Sequence, residues 1–143
     1  MKSSQRRLSM ACAALWSCFA ARATAADIRV VANPSVKVSA ISSEDLKGVF
    51  LQTRTVLGDG CHVEPVLLTS GTVHQAFIRQ YVGKTEVALE TYYRSLVFSG
   101  KALMPRMLRS EEQVLEYVGK TKGAVGYVGA GVTPAGVKVL DVR

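Results

Sequence analysis

Short apolar runs of the kind that form buried strands alternate along this chain with longer stretches whose apolar positions recur at helical spacing. Ile28 to Val31 is a β-branched run closed by Asn33-Pro34 and reads as a first strand. A polar connection leads to a helix that Ser42 or Ser43 can cap. Glu44 and Asp45 favour its positive end, and Leu46, Val49 and Phe50 hold the i, i+3, i+4 positions of a buried face. Gly58-Asp59-Gly60 supplies a turn before a second strand, Val63 to Leu68. From Val73 to Val82 the spacing is helical again, with Val73, Ala76, Phe77 and Tyr81 on one side. Thr85 can cap a helix in which Leu89, Tyr92, Tyr93 and Leu96 recur up to Phe98-Ser99-Gly100, and Pro105 lies in the loop beyond. Ser110 opens another helix, Glu111 to Lys120, with Val114, Leu115 and Val118 inward. Ala124 to Val128 and Val137 to Val142 read as closing strands. The alternation predicts an α/β sheet covered on its faces rather than a bundle or a sandwich. No repeat, low-complexity tract or internal linker interrupts it.

The first residues follow another logic. Lys2, Arg6 and Arg7 precede a mostly apolar run from Leu8 to Ala21, and Ala23-Thr24-Ala25 has the small-residue spacing of a signal-peptidase site. Residues 1–25 are therefore expected to be a cleaved secretory signal, leaving 118 of the 143 residues as one domain, 26–143. The apolar run is short for a bilayer span and no later stretch is longer, so no membrane span is expected after cleavage. Lys2, Arg6, Arg7 and Arg22 leave with the signal, which lowers the formal net charge from +7 to +3. The remaining charges are scattered, without a basic stripe or a basic cluster interleaved with aromatics, so nucleic acid is not an expected partner. Cys12 and Cys18 also fall within the signal, so Cys61 is left without a partner for an intramolecular disulfide. Leu15-Trp16-Ser17-Cys18 places bulky Trp16 where a lipoprotein processing site needs a small residue, so lipidation is not expected.

Several motif fragments lead nowhere. Gly83-Lys84-Thr85 and Gly119-Lys120-Thr121 resemble the end of a nucleotide-binding P-loop, but the required earlier glycines are Ile78 and Val114. Gly123, Gly126, Gly129 and Gly131 lie in and after a strand instead of opening a helix, so they do not form a dinucleotide fingerprint. Asp59, Cys61 and His62 are metal-ligand types, and a thiol beside an imidazole suggests a nucleophile. Adjacent residues entering a strand point to opposite faces, however, and His74 is the only other histidine. No metal, cofactor or catalytic group is expected. Most of the acids sit in first helical turns or on presumed outer faces, and the tyrosines and phenylalanines fall at core spacing.

Ser70-Gly71-Thr72 is the candidate site, because it lies where a strand runs into a helix. The first amides of a helix lack intrahelical partners and its dipole is positive there, so an oxyanion can take several hydrogen bonds, with two hydroxyls adding donors. The competing reading makes Ser70 a plain N-cap.

Leu46-x-x-Val49-Phe50-Leu51 before the Gly58-Asp59-Gly60 turn, then Ser70-Gly71-Thr72, Phe98-Ser99-Gly100 and Gly123-Ala124-Val125-Gly126-Tyr127-Val128, resemble phosphate ABC-transporter substrate-binding proteins over nearly the whole expected mature chain. The resemblance implies a secreted, periplasmic, non-catalytic protein with a type II periplasmic-binding-protein lobe: a mixed, mainly parallel sheet with helices on both faces. It also implies that Ser70, Gly71 and Thr72 donate to phosphate or a similar small oxyanion, and that a membrane permease is a partner. Two departures stand out. Family members carry an arginine shortly before Ser-Gly-Thr where this chain has Pro65, Val66, Leu67 and Leu68, and they have two lobes where this chain has length for one. A weak, open site follows, which a second lobe or a homodimer would close. The alternative expectation is a periplasmic interaction module that has lost anion binding, marked by an exposed apolar patch. A small hydrolase or metal protein built on Cys61, His62 or His74 is disfavoured by the strand geometry.

Overall fold

The computed structural model describes residues 27–58 and 60–143; the expected signal peptide and Asp59 lie outside the described residues. The first strand, β1, is Ile28–Ala32, followed by the short β2, Ala40–Ile41, and α1, Ser43–Phe50. Ser42 is the cap, its hydroxyl accepting from the Asp45 amide at 3.0 Å, and Leu46, Val49 and Phe50 are buried. A small hairpin, β3 (Val56–Leu57) and β4 (Cys61–His62), precedes β5, Glu64–Leu68. Helix α2 is shorter than the periodicity predicts. It runs Thr72–Phe77 and then widens into a π-helical turn, Ile78–Val82, in which the Gly83 amide donates to Ile78 O at 2.8 Å. The wider turn changes which side chains face inward: His74, Phe77, Ile78 and Val82 are buried, while Val73, Ala76 and Tyr81 are only partly so.

Helix α3, Glu86–Phe98, is capped by Thr85 and leads to β6, Arg106–Leu108, a strand where a loop is expected from the sequence. Helix α4, Glu111–Lys120, and the strands β7, Ala124–Gly129, and β8, Lys138–Val142, complete the chain close to their expected bounds. The six-stranded sheet has the order β2-β8-β1-β7-β5-β6. Three pairings are parallel, β2 with β8 and β5 with both β6 and β7, and β1 runs antiparallel to β7 and β8.

Adjacent residues of β7 show that both faces are covered, since successive side chains leave a strand on opposite sides. Tyr127 stacks on Phe77 of α2 with centroids 3.8 Å apart and lies 5.8 Å from Phe50 of α1. On the other face, a Cβ at Gly126 would lie 2.8 Å from Val114 Cγ1 and 3.3 Å from Val118 Cγ2, both of α4. Glycine there lets α4 approach the sheet closely.

Candidate functional site

The fold brings Ser70, Gly71 and Thr72 to the carboxyl ends of the parallel strands. After β5 the chain passes to α2 on one face, and after β6 it passes to α4 on the other. A crevice opens where two such connections part, and the N-termini of both helices face it. Its volume is about 260 Å3, and its lining includes Ser70, Gly71 and Thr72 from one connection and Arg109, Ser110, Glu111 and Glu112 from the other.

Ser70 is not the N-cap. Gly71 occupies that position with φ 111° and ψ 167°, and no side chain caps the helix. Nothing lies within 4 Å of where a Gly71 Cβ would stand, so it is the backbone conformation that calls for glycine. The first intrahelical bond runs from the Gln75 amide to Gly71 O at 3.0 Å, which leaves the first-turn amides before it without intrahelical acceptors. Among the described residues, the Ser70 and Thr72 hydroxyls make no hydrogen bond within the chain. Both side chains are exposed at the crevice.

Arg109 is the residue that sequence reasoning missed. Nothing cationic stands just before Ser70 in the sequence, but the parallel pairing of β5 with β6 carries Leu68 beside Leu108, and Arg109 follows. Arg109 lines the crevice, and among the described residues it has no ion pair. The crevice also holds acid. Glu111 Oε2 accepts from the Gly129 amide at 2.7 Å, and Glu112 is exposed at the rim.

The crevice is held from below by a buried polar chain. Tyr127 Oη accepts from the Leu68 amide at 3.1 Å and lies 2.5 Å from His74 Nδ1 in the first turn of α2. The donor and acceptor roles in the His74–Tyr127 contact follow the ring tautomer, and the other ring nitrogen, Nε2, lies 3.8 Å from Glu86 Oε1. Burial lowers the pKa of His74 below 6.5, an effect partly offset by Glu86. The ring is thus a structural post. Cys61 is half-buried with Sγ 3.6 Å from Ser35 O, and His62 is exposed. Among the described residues no group of three or more His, Cys, Asp or Glu is placed to hold a metal ion.

Solved structures carry the same arrangement of strands and helices. An ABC-type phosphate transport receptor from Vibrio cholerae superposes with a TM-score of 0.62 at 15% identity, covering 81% of this chain and 46% of that one. PstS from Borrelia burgdorferi gives 0.63 at 15%, covering 82% and 47%. A Clostridium perfringens protein crystallised with bound phosphate gives 0.63 at 13%, covering 81% and 44%. The chain shares its fold with phosphate ABC-transporter substrate-binding proteins. It spans about half the length of these solved structures. No protein-family model and no curated protein matches it. Among the described residues no helix is long and apolar enough to cross a membrane.

Proposed function

We propose that this protein is a periplasmic, non-catalytic binding protein that takes phosphate or a similar small oxyanion in the crevice, as part of a phosphate-type ABC transport system. The observation that carries the reading is the convergence of Ser70, Gly71 and Thr72 with Arg109 at the ends of β5 and β6. Two hydroxyls and uncapped first-turn amides supply neutral donors, and the guanidinium supplies the charge-assisted contact that the local sequence lacks. Glu111 and Glu112 narrow the ligand. A fully ionised sulfate has no proton to offer a carboxylate, whereas phosphate near neutral pH has one or two, so the acids disfavour sulfate more than phosphate.

Ser70, Thr72, Arg109 and Glu112 are all exposed, so a bound anion stays partly in water and each neutral hydrogen bond nets about 0.5 to 1.5 kcal/mol. Affinity of this chain alone is correspondingly weak, and a docked partner surface would enclose the ligand and raise it. Secretion through cleavage near Ala25 and delivery to a permease belong to the same reading.

Thermal unfolding at matched ionic strength in phosphate, sulfate, phosphonate and chloride tests it. Phosphate at one hundred times its dissociation constant adds about 2.7 kcal/mol of stability. The shift is expected for wild type, reduced by Arg109→Gln and lost in Ser70→Ala with Thr72→Ala. If no oxyanion raises the midpoint up to millimolar concentration, the reading fails.

A further inference from the structure

The strand that feeds the crevice feeds a second cavity from its other side. Leu68 and Ser70 line the crevice, while the alternate residues Leu67 and Thr69 line a hollow of about 230 Å3 shared with α3 and with Met104 and Met107. Leu67, Leu89 and Tyr93 are buried and give it apolar walls, and the two methionines, 47% and 39% exposed, stand at its opening. An apolar cavity of about 150 Å3 takes benzene, so this one has room for a ring with a short chain attached.

The polar groups of the hollow lie together. His74 lines it and is only 3% exposed. Its Nδ1 is engaged with Tyr127, but among the described residues Nε2 makes no hydrogen bond and faces Glu86 Oε1 at 3.8 Å, beyond hydrogen-bond length. Thr69 brings a hydroxyl. The formal charges in the lining are Glu86 and Glu90, with no lysine or arginine among the lining residues. Glu90 is already paired, with Arg94 at 2.5 Å. Glu86 is not: Gln75 Nε2 approaches its Oε2 at 3.5 Å, and the facing imidazole is neutral near pH 7 because burial lowers its pKa below 6.5. We propose that this hollow binds a small organic ammonium, an apolar body carrying one protonated amine.

Each part of the cavity selects its counterpart. The amine donates to Glu86 and supplies the cation that this carboxylate lacks. Where Nε2 is unprotonated the same amine reaches it too, since two acceptors 3.8 Å apart can share one donor. The body fills the space beside Leu67, Leu89 and Tyr93, and the flexible thioethers of Met104 and Met107 adapt to its outline. A neutral molecule of the same shape would cover Glu86 without compensating its charge, and an anion would meet a like charge. A bare metal ion finds too few ligands, because among the described residues no group of three or more His, Cys, Asp or Glu is placed to hold one. The proposal does not rest on the oxyanion reading.

The two methionines provide the test, as the chain's other two, Met1 and Met10, fall within the expected signal. The full chain carrying 13C-methyl methionine is titrated at pH 7.5 in phosphate-free buffer, so the result does not depend on oxyanion binding. The probes are 2-phenylethylamine, 2-phenylethanol, phenylacetate and n-butylamine, and the signals are assigned with Met104→Leu and Met107→Leu. 2-Phenylethylamine should shift both methyl signals saturably. 2-Phenylethanol and n-butylamine should bind about tenfold more weakly or worse, and phenylacetate should cause no shift. Glu86 is half-exposed at the start of α3, so Glu86→Gln is expected to stay folded. It should weaken the amine about tenfold while leaving 2-phenylethanol unchanged, whereas Glu90→Gln should change amine binding less than about threefold. No saturable shift up to about 10 mM amine would overturn the proposal. So would an alcohol or n-butylamine that binds as tightly as 2-phenylethylamine, or amine binding indifferent to Glu86→Gln.

Discussion

Helices α2 and α4 begin at the same crevice and are held there in opposite ways. α4 carries its instructions locally. Ser110 accepts from the Gln113 amide at 3.2 Å, Gln113 Oε1 accepts from the Arg109 amide at 3.0 Å, two glutamates occupy the positive first turn, and Val114, Leu115 and Val118 form one buried stripe. α2 has six residues, a glycine at its start, no capping side chain and no acid in its first turn. Its position comes from beneath, through Phe77 in the aromatic stack and His74 on Tyr127. A helix stabilised by its own ends needs those ends for itself. One anchored through its core face can leave its first amides open to a ligand.

The strongest challenge to this contrast is Phe77→Ala. Phe77 is fully buried, stacked on Tyr127 and edge-on to Phe50 at 4.7 Å, so its truncation should cost about 3–5 kcal/mol in denaturant unfolding. The anion response should fall with it. A loss below about 1 kcal/mol would show that α2 is not anchored from the core.

Tyr127→Phe comes next. It keeps the stack but removes the hydroxyl shared by the Leu68 amide and His74, leaving two buried polar groups without that partner, at a cost of about 1–3 kcal/mol. The pH dependence tests the same post. Burial depresses the folded-state pKa of His74 below 6.5, so the unfolded chain binds the proton more readily. Stability is therefore complete above 6.5 and is lost as pH falls through that value toward the folded pKa. Between about pH 7.5 and pH 5.5 the wild-type midpoint should drop more than that of His74→Gln. Parallel profiles would contradict a neutral, buried His74.

The same contrast explains what was legible in the sequence. α4 could be read because its cap, acids and apolar stripe lie within eleven residues of one another. The strand leading to Ser70 and the closing strands were legible for similar reasons, as buried β-branched runs. The fold class followed from strands alternating with helices. The π-helical turn was not legible, because the apolar residues from Val73 to Val82 fit an ordinary helix. β6 was missed because three residues after Pro105 carry no periodicity, and its pairing with β5 is what makes them a strand. Arg109 is hidden for the same reason: nothing cationic stands just before Ser70, and only the pairing of β6 with β5 brings Arg109 to the same crevice. The His74 to Tyr127 contact spans 53 positions and leaves no local trace.

The smallest effect is the most discriminating. Ser110→Ala removes a cap with a defined acceptor bond and should cost about 1 kcal/mol of stability. Ser70→Ala, at the equivalent point of the other connection, removes a hydroxyl that has no partner among the described residues, so its cost should stay within about 0.5 kcal/mol. The phosphate response should divide the opposite way, retained in Ser110→Ala and weakened in Ser70→Ala. Both variants are read in one thermal-shift series with and without phosphate. If Ser70→Ala proves as destabilising as Ser110→Ala in the absence of anion, Ser70 acts as a cap after all, and the contrast between a self-sufficient helix and an open one loses its basis.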